Sequence, residues 1–378
     1  MRLLIAGDFV PITRTAKAIA CGDYSCLENV LPYTKMADYS IVNYECPVVV
    51  KDGKPISKTG PNLKCTEKGI EAIQWAGFNC VTLANNHFYD YSEIGVRDTI
   101  HCLNFHKIDY VGGGFNYNEA RRILYKQFNQ QKLAVINCCE NEFSIASDKR
   151  GGSNPINPIS IYRSIIEARN NADFILVITH GGHEKYQLPS PRMQELYRFF
   201  VDVGADAVVN HHQHCFSGYE VYNGKPIFYG LGNFCFDIFK NGISETWHEG
   251  YMLSMDVSEV GGLSFEIIPY RQCREKPCIE ILPKDAFNSK LIELNEIIKD
   301  EEKLNASFKG LCVKRAPSII VNLFSPLSNK YLSGLAKRGL LPSFVSRRRL
   351  LMALNNIRCE AHRDILVSYL NDKISGNE

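Results

Sequence analysis

An α/β layer fold is predicted for residues 1 to about 236, and three observations carry that prediction. Short apolar runs alternate with stretches of helical period, the pattern of strands covered by helices. With 378 residues, 45% of them apolar and 22% charged, the chain is long enough to bury a full core. A polar, chemically capable residue follows five predicted strands in turn, at the edge where open α/β sheets bind ligands.

Taken in order, the strands are expected over 2–7, 39–44, 79–84, 132–138, 173–179, 206–210 and 226–230. Helices are expected over 67–76, 93–105, 161–170 and 192–203. Pro191 stands near the start of the last one, where a missing N–H costs little, and Gly204 just past its end. After Gly250, residues 251–257 and 263–269 alternate like an antiparallel pair turning at Gly261-Gly262. Beyond residue 285 the pattern is helical, with apolar stripes over 291–298 and at Leu350, Leu351, Leu354, Ile357, Ala361, Ile365 and Leu366, which read as core. The chain therefore divides into a main domain, 1–284, and a helical, basic C-terminal extension, 285–378.

Composition narrows the function classes. The 14 cysteines form no paired CxxC set and read as reduced, mostly buried thiols. The opening apolar run meets Asp8 too soon for a signal peptide, and no stretch approaches the ~20 apolar residues of a membrane span. A cytoplasmic protein is expected. The net charge of +2 is uneven, since residues 311–378 hold 11 Lys/Arg against 4 Asp/Glu. Arg347-Arg348-Arg349 reads first as a solvated helix face, and otherwise as a contact for an anionic partner or a membrane surface. Nucleic acid is not expected as a partner.

Two short blocks, Thr179-His180-Gly181-Gly182-His183-Glu184 and Asn210-His211-His212-Gln213-His214, hold five of the ten histidines. Imidazole is the commonest neutral ligand for divalent metals, and His-x-His aims two rings from one strand end. Asp8, Glu45 and Asn86-His87 follow earlier strands and complete a set for two ions. Glu45 is the natural bridge, because a carboxylate has two oxygens and offsets repulsion between dications. Asp8 and His214 would complete one metal, and Asn86, His180 and His212 the other. A hydroxide between ions ~3.5–4 Å apart could then attack phosphorus in line. His87 is the general-acid candidate, oriented by Asp90, or else it only hydrogen-bonds Asp90 to fix the loop. His183 and Glu184 would contact substrate or support the ligands. Lys58 and Arg192 are candidate phosphate or carboxylate binders, although isolated cations are usually just solvated. His211 reads as structural, since alternation along a strand turns it away from His212.

The motifs Gly7-Asp8, Asn43-Tyr44-Glu45-Cys46-Pro47, Asn85-Asn86-His87-Phe88-Tyr89-Asp90, His180-Gly181-Gly182-His183-Glu184, His212-Gln213-His214 and Tyr229-Gly230-Leu231-Gly232-Asn233-Phe234 together resemble the CapA family of poly-γ-glutamate capsule synthesis. The resemblance covers residues 1 to about 240. It implies a calcineurin-like metallophosphoesterase fold, a layered β-sheet sandwich flanked by helices, with Asn86 a ligand, His87 catalytic and Glu45 bridging. The sequence departs from the superfamily at Asp8-Phe9-Val10, where Asp-x-His is common, so one metal is expected to lose a usual ligand.

Three functions compete on these residues. The first is a phosphoesterase using two divalent ions (Mn, Fe or Zn) on a phosphorylated or otherwise anionic substrate in a bacterial cell-surface polymer pathway. The second is a non-catalytic accessory protein that binds an anionic polymer or other capsule-biosynthesis proteins. The third is metal-assisted cleavage or transfer at a γ-glutamyl amide.

Overall fold

The structure, a computed structural model, describes residues 1–51, 53–238, 243–258, 262–324 and 346–374. The first third of the chain builds β1 (Arg2–Val10), α1 (Thr13–Ala20), α2 (Leu31–Met36), β2 (Tyr39–Tyr44), α3 (Lys68–Trp75), β3 (Cys80–Thr82), α4 (Ser92–Phe105), β4 (Asp109–Val111), β5 (Gly113–Gly114) and α5 (Tyr117–Ala120). There follow β6 (Leu124–Phe128), β7 (Gln131–Cys139), β8 (Gly152–Ser153), α6 (Pro158–Arg169), β9 (Phe174–His180), α7 (Pro191–Asp202), β10 (Ala207–His211), β11 (Tyr219–Tyr222), β12 (Lys225–Phe228) and β13 (Asn233–Phe236). The rest comprises α8 (Glu245–His248), β14 (Glu249–Val257), β15 (Leu263–Gln272), β16 (Ile279–Ile281), α9 (Lys284–Lys299), α10 (Glu301–Phe324), α11 (Arg347–Arg358) and α12 (Glu360–Ile374).

One sheet runs β16-β15-β14-β1-β2-β3-β4, with β13 also paired to β1. The other runs β11-β12-β10-β9-β7-β6. Strands β1 to β4 are mutually parallel, as are β7, β9, β10 and β12, and the antiparallel strands lie outside them.

The layering follows from the two-residue period of strands. Leu3, Ile5 and Ile41 of the first sheet face Leu133, Val135, Leu176, Ile178 and Val209 of the second across a shared core. Their neighbours Leu4, Ala6 and Val42 turn outward onto α1, α3 and α4. Ala134, Ile136, Ile175 and Val177 turn outward onto α6 and α7. The result is helix, sheet, sheet, helix. Burial on both faces explains why β9 reads as an unbroken apolar run rather than an alternation.

Local signals place the helices. The Ser190 side chain accepts from Met193 N at the start of α7, with Pro191 at the first turn and Gly204 at φ 121° past the end. The Gly261-Gly262 turn lies partly outside the described residues. At the C-terminus the single apolar stripe divides at Cys359, between α11 and α12. Ala361, Ile365 and Leu366 are buried, whereas Leu350, Leu354 and Ile357 are exposed, which corrects their reading as core. Helix α9 places Phe287 and Leu291 in the core between the sheets. All 14 cysteines are free thiols, most of them buried.

Candidate metal centre

The C-terminal ends of β1, β2, β9 and β10 meet where the two sheets come together. Strand β1 leaves β14 after Ile5 and takes up β13 at Asp8, with irregular register on either side of that residue. Glycine is required here, because a Cβ on Gly7 would lie 1.9 Å from Gly232 O. The close approach lets Asp8 N donate to Gly232 O at 3.2 Å, next to Asn233.

Asn85 fixes the loop after β3. Its Nδ2 donates to Tyr44 O at 3.0 Å and its Oδ1 accepts from His87 N at 3.1 Å, so Asn86 is held beside Glu45. Asn210 ties the two histidine loops together, donating to Gly181 O (2.9 Å) and Tyr229 O (3.0 Å) and accepting from Thr179 Oγ1 and Tyr197 OH. His212 and His214 are held at φ 90° and 53°, conformations that side-chain-bearing residues seldom adopt. Strain of about 1–3 kcal/mol per residue is characteristic of functional sites.

Two ligand groups result, and they share a residue. One ligand atom from each of Glu45, His180 and His212 lies within 4.8 Å of the others, and likewise for Asp8, Glu45 and His214. Asn86 Oδ1 lies 3.0 Å from His180 Nε2, which is also 3.1 Å from His212 Nδ1 and 3.4 Å from Glu45 Oε1. His214 Nδ1 is 3.0 Å from Asn233 Oδ1, which leaves Nε2 facing Glu45 Oε1 at 3.8 Å. All these side chains are buried, yet neither oxygen of Glu45 has a hydrogen-bond partner among the described residues. Burial, with Asp8 adding to it, pushes the Glu45 carboxyl well above its usual range. At His214 burial acts downward, but Glu45 and Asp8 outweigh it and raise the ring to about 10. A buried carboxylate with unpartnered oxygens among imidazoles fits the nitrogen and oxygen donor set of divalent metals.

Beside this centre, Asp90 Oδ2 lies 2.6 Å from His87 Nδ1 and accepts from Leu63 N at 2.7 Å. Burial, and then the charge of Lys58, lower His87 to about 4. Lys58 differs from its reading as an anion binder: its side chain is 3% exposed and its ammonium is ion-paired with Asp90. Arg192 differs likewise, being ion-paired with Glu140 and Asp364. In both cases a buried carboxylate claims the cation before any ligand can. Glu184 is exposed at the rim of a cavity of about 580 Å³ that also touches His87, His214, Lys185, Phe236 and Trp247.

His183 is 2% exposed, its ring lies 5.5 Å from that of Phe308 of α10 at a tilt of 34°, and neither ring nitrogen has a partner among the described residues. Burial, reinforced by Arg315, lowers it to about 3. A histidine depressed in the folded state binds its proton first in the unfolded one, so stability is full above the usual 6.5 and falls as pH drops toward 3. His183→Leu should flatten that loss, by roughly 3 kcal/mol at pH 4. Urea unfolding between pH 4 and 8 measures it, and equal slopes for both proteins would refute the assignment.

Sequence reasoning missed His211, Glu140 and Glu142. His211 Nδ1 lies 3.4 Å from Asp8 Oδ1, and Glu142 Oε1 lies 3.8 Å from His212 Nε2. The adjacent histidine pair was the available signal for His211. Nothing in the sequence marks the two glutamates.

The chain is 38% identical over 217 residues to the capsule biosynthesis protein CapA of Bacillus anthracis, covering 55% of this chain and 53% of that one. The match thus spans about half the length of that relative. The PGA biosynthesis protein CapA of Bacillus subtilis is 29% identical over 282 residues, covering 74% and 72%. A solved structure of a hypothetical protein from Thermus thermophilus aligns with 71% of this chain and 99% of its own, at 14% identity and a TM-score of 0.46. The family described as bacterial capsule synthesis protein PGA_cap matches residues 2–238, and the chain belongs to that family.

Proposed function

We propose that the chain is a metal-dependent phosphoesterase of a capsule or cell-surface polymer pathway, acting in the cytoplasm on a phosphorylated or otherwise anionic substrate. The observation that supports this reading most is Glu45, buried, unpartnered and common to both ligand groups. Two divalent ions (Mn, Fe or Zn), when bound, supply an activated water and neutralise charge on the transferring group. Asp8, Glu45 and His214 would hold one, and Asn86, Glu45, His180 and His212 the other. The Bacillus relatives, by their names, serve capsule and PGA biosynthesis, and the pathway is carried over from them.

The protein's own groups would handle the proton. With His87 Nδ1 committed to Asp90, Nε2 is the atom left to hand a proton to the departing oxygen. A phosphate beside the ring adds negative charge and favours its protonated form. Lys58 and Asp90 would fix the ring's orientation, and the Phe236 and Trp247 wall of the cavity would exclude water.

The test is hydrolysis of generic phosphomonoesters and phosphodiesters with added Mn, Zn, Fe or Mg. Asn86→Ala should abolish metal-dependent turnover, and His87→Asn should lower kcat about 10²–10⁴-fold. Bound metal with no phosphate released by any ion would overturn the phosphoesterase reading, and glutamate released from poly-γ-glutamate would replace it with amide chemistry.

A further inference from the structure

The last residue of β10, His211, lies in register with His180 and is 2% exposed. Neither of its ring nitrogens has a hydrogen-bond partner among the described residues. An unsatisfied buried polar group is costly, so an imidazole is a poor filler for this position. Its Nδ1 faces Asp8 Oδ1 at 3.4 Å, and the same oxygen accepts from Asn43 Nδ2 at 2.7 Å. The other oxygen, Oδ2, faces His214 Nδ1 at 3.4 Å and accepts from His212 N at 3.4 Å. The two oxygens of Asp8 are therefore divided, one toward His211 and Asn43, the other toward the ligand side.

We propose that His211 is a positioning residue for the metal centre: packed against Asp8 Oδ1, to which Asn43 donates, it restrains that carboxylate and leaves Oδ2 toward the ion that Asp8, Glu45 and His214 would hold. This rests on the metal reading above. His211 belongs to neither group of converging ligand atoms, which separates its role from that of a ligand. The position matters because Val10, where Asp-x-His would supply a further donor, is buried in the apolar core. An ion with fewer side-chain ligands depends more on how rigidly each is held. Partners that orient a ligand from behind are typically worth about 10–100-fold in metal affinity.

The experiment is manganese titration of the full chain, followed by electron paramagnetic resonance, for wild type, His211→Leu and His211→Gln. Expected is a 10–100-fold weaker affinity for one ion in His211→Leu with the other unchanged, and partial recovery in His211→Gln, which keeps a donor. In chelator, His211→Leu should melt no lower than wild type. Wild-type affinity at both sites in His211→Leu overturns the proposal and leaves the metal reading intact. Equal weakening at both sites with a lower melting temperature in chelator also overturns it, as a folding effect. A wild-type chain that binds no manganese removes the metal reading and this inference together.

Discussion

In chelator, Glu45→Gln should melt above the wild-type chain, and in saturating manganese it should melt below it. The reversal follows from what surrounds the carboxyl. Glu45 is fully buried with no hydrogen-bond partner for either oxygen among the described residues, and burial together with Asp8 holds its carboxyl well above the usual range. Without metal the carboxyl is unfavourable in either form, ionised against Asp8 with His214 as its nearest countercharge or protonated against its ordinary preference, and a neutral amide of the same shape relieves that. The expected gain is about 1–3 kcal/mol, at roughly 1–1.5 °C per kcal/mol in a chain of 378 residues. With metal the balance inverts, because an ion at 100 times its Kd stabilises by about 2.7 kcal/mol, and Glu45 contributes to both ligand groups. Calorimetric scans of the two proteins in chelator and in manganese decide the matter. A variant that is less stable than wild type in chelator, and still stabilised by manganese, would mean that Glu45 is a structural acid and not the bridge.

How much of this centre could be read from the sequence depended on whether the informative contact was local. Asp8, Glu45, His180 and His212 were legible because each stands at or near the C-terminal end of a strand and is a metal-ligand residue type. The ends of parallel strands gather at one edge whatever the details of packing. His211 was set aside because alternation turns it from His212. Alternation does not say what covers the opposite face, and here that is Asp8 of the other sheet. Lys58 and Arg192 looked like isolated cations, since their carboxylate partners are 32 and 172 residues away in sequence. Helical spacing correctly put Leu350, Leu354 and Ile357 on one face of α11, but spacing cannot tell whether a face meets core or solvent. Edge strands such as β6, with Lys126 and Gln127 at its middle, escaped because half-exposed polar strands carry little apolar periodicity.

The second large effect is expected at Arg192, where the C-terminal helices meet the metal centre. Its Nε lies 2.6 Å from Asp364 Oδ2 of α12, and its Nη2 donates to Glu140 Oε1, in the loop after β7. The other Glu140 oxygen accepts from Gly182 N at 3.2 Å, in the turn that follows His180. Glu360 accepts from Asn141 N and Nδ2, so the start of α12 is fastened to the same loop. Arg192→Met keeps the bulk of the stem but strands a 5% exposed carboxylate. Breaking a buried pair by removing one partner costs about 3–5 kcal/mol; because Arg192 itself is 28% exposed, roughly 3 kcal/mol is the fitting expectation. The loss should be local at first, with limited proteolysis cutting within α10 to α12 before the sheets. Loosening the Gly181-Gly182 turn should also weaken metal at the His180 and His212 group more than at the Asp8 group. Adding Glu140→Gln to Arg192→Met should restore part of the stability, because the stranded charge is then gone. As a control, Lys303→Ala removes an exposed pair with Asp300 and should change stability by less than about 0.5 kcal/mol. If Arg192→Met unfolds within that margin and keeps the wild-type cleavage pattern, the C-terminal helices are held by their apolar contacts and by links such as Glu360 to Asn141, and the ion pair is incidental to the architecture of the site.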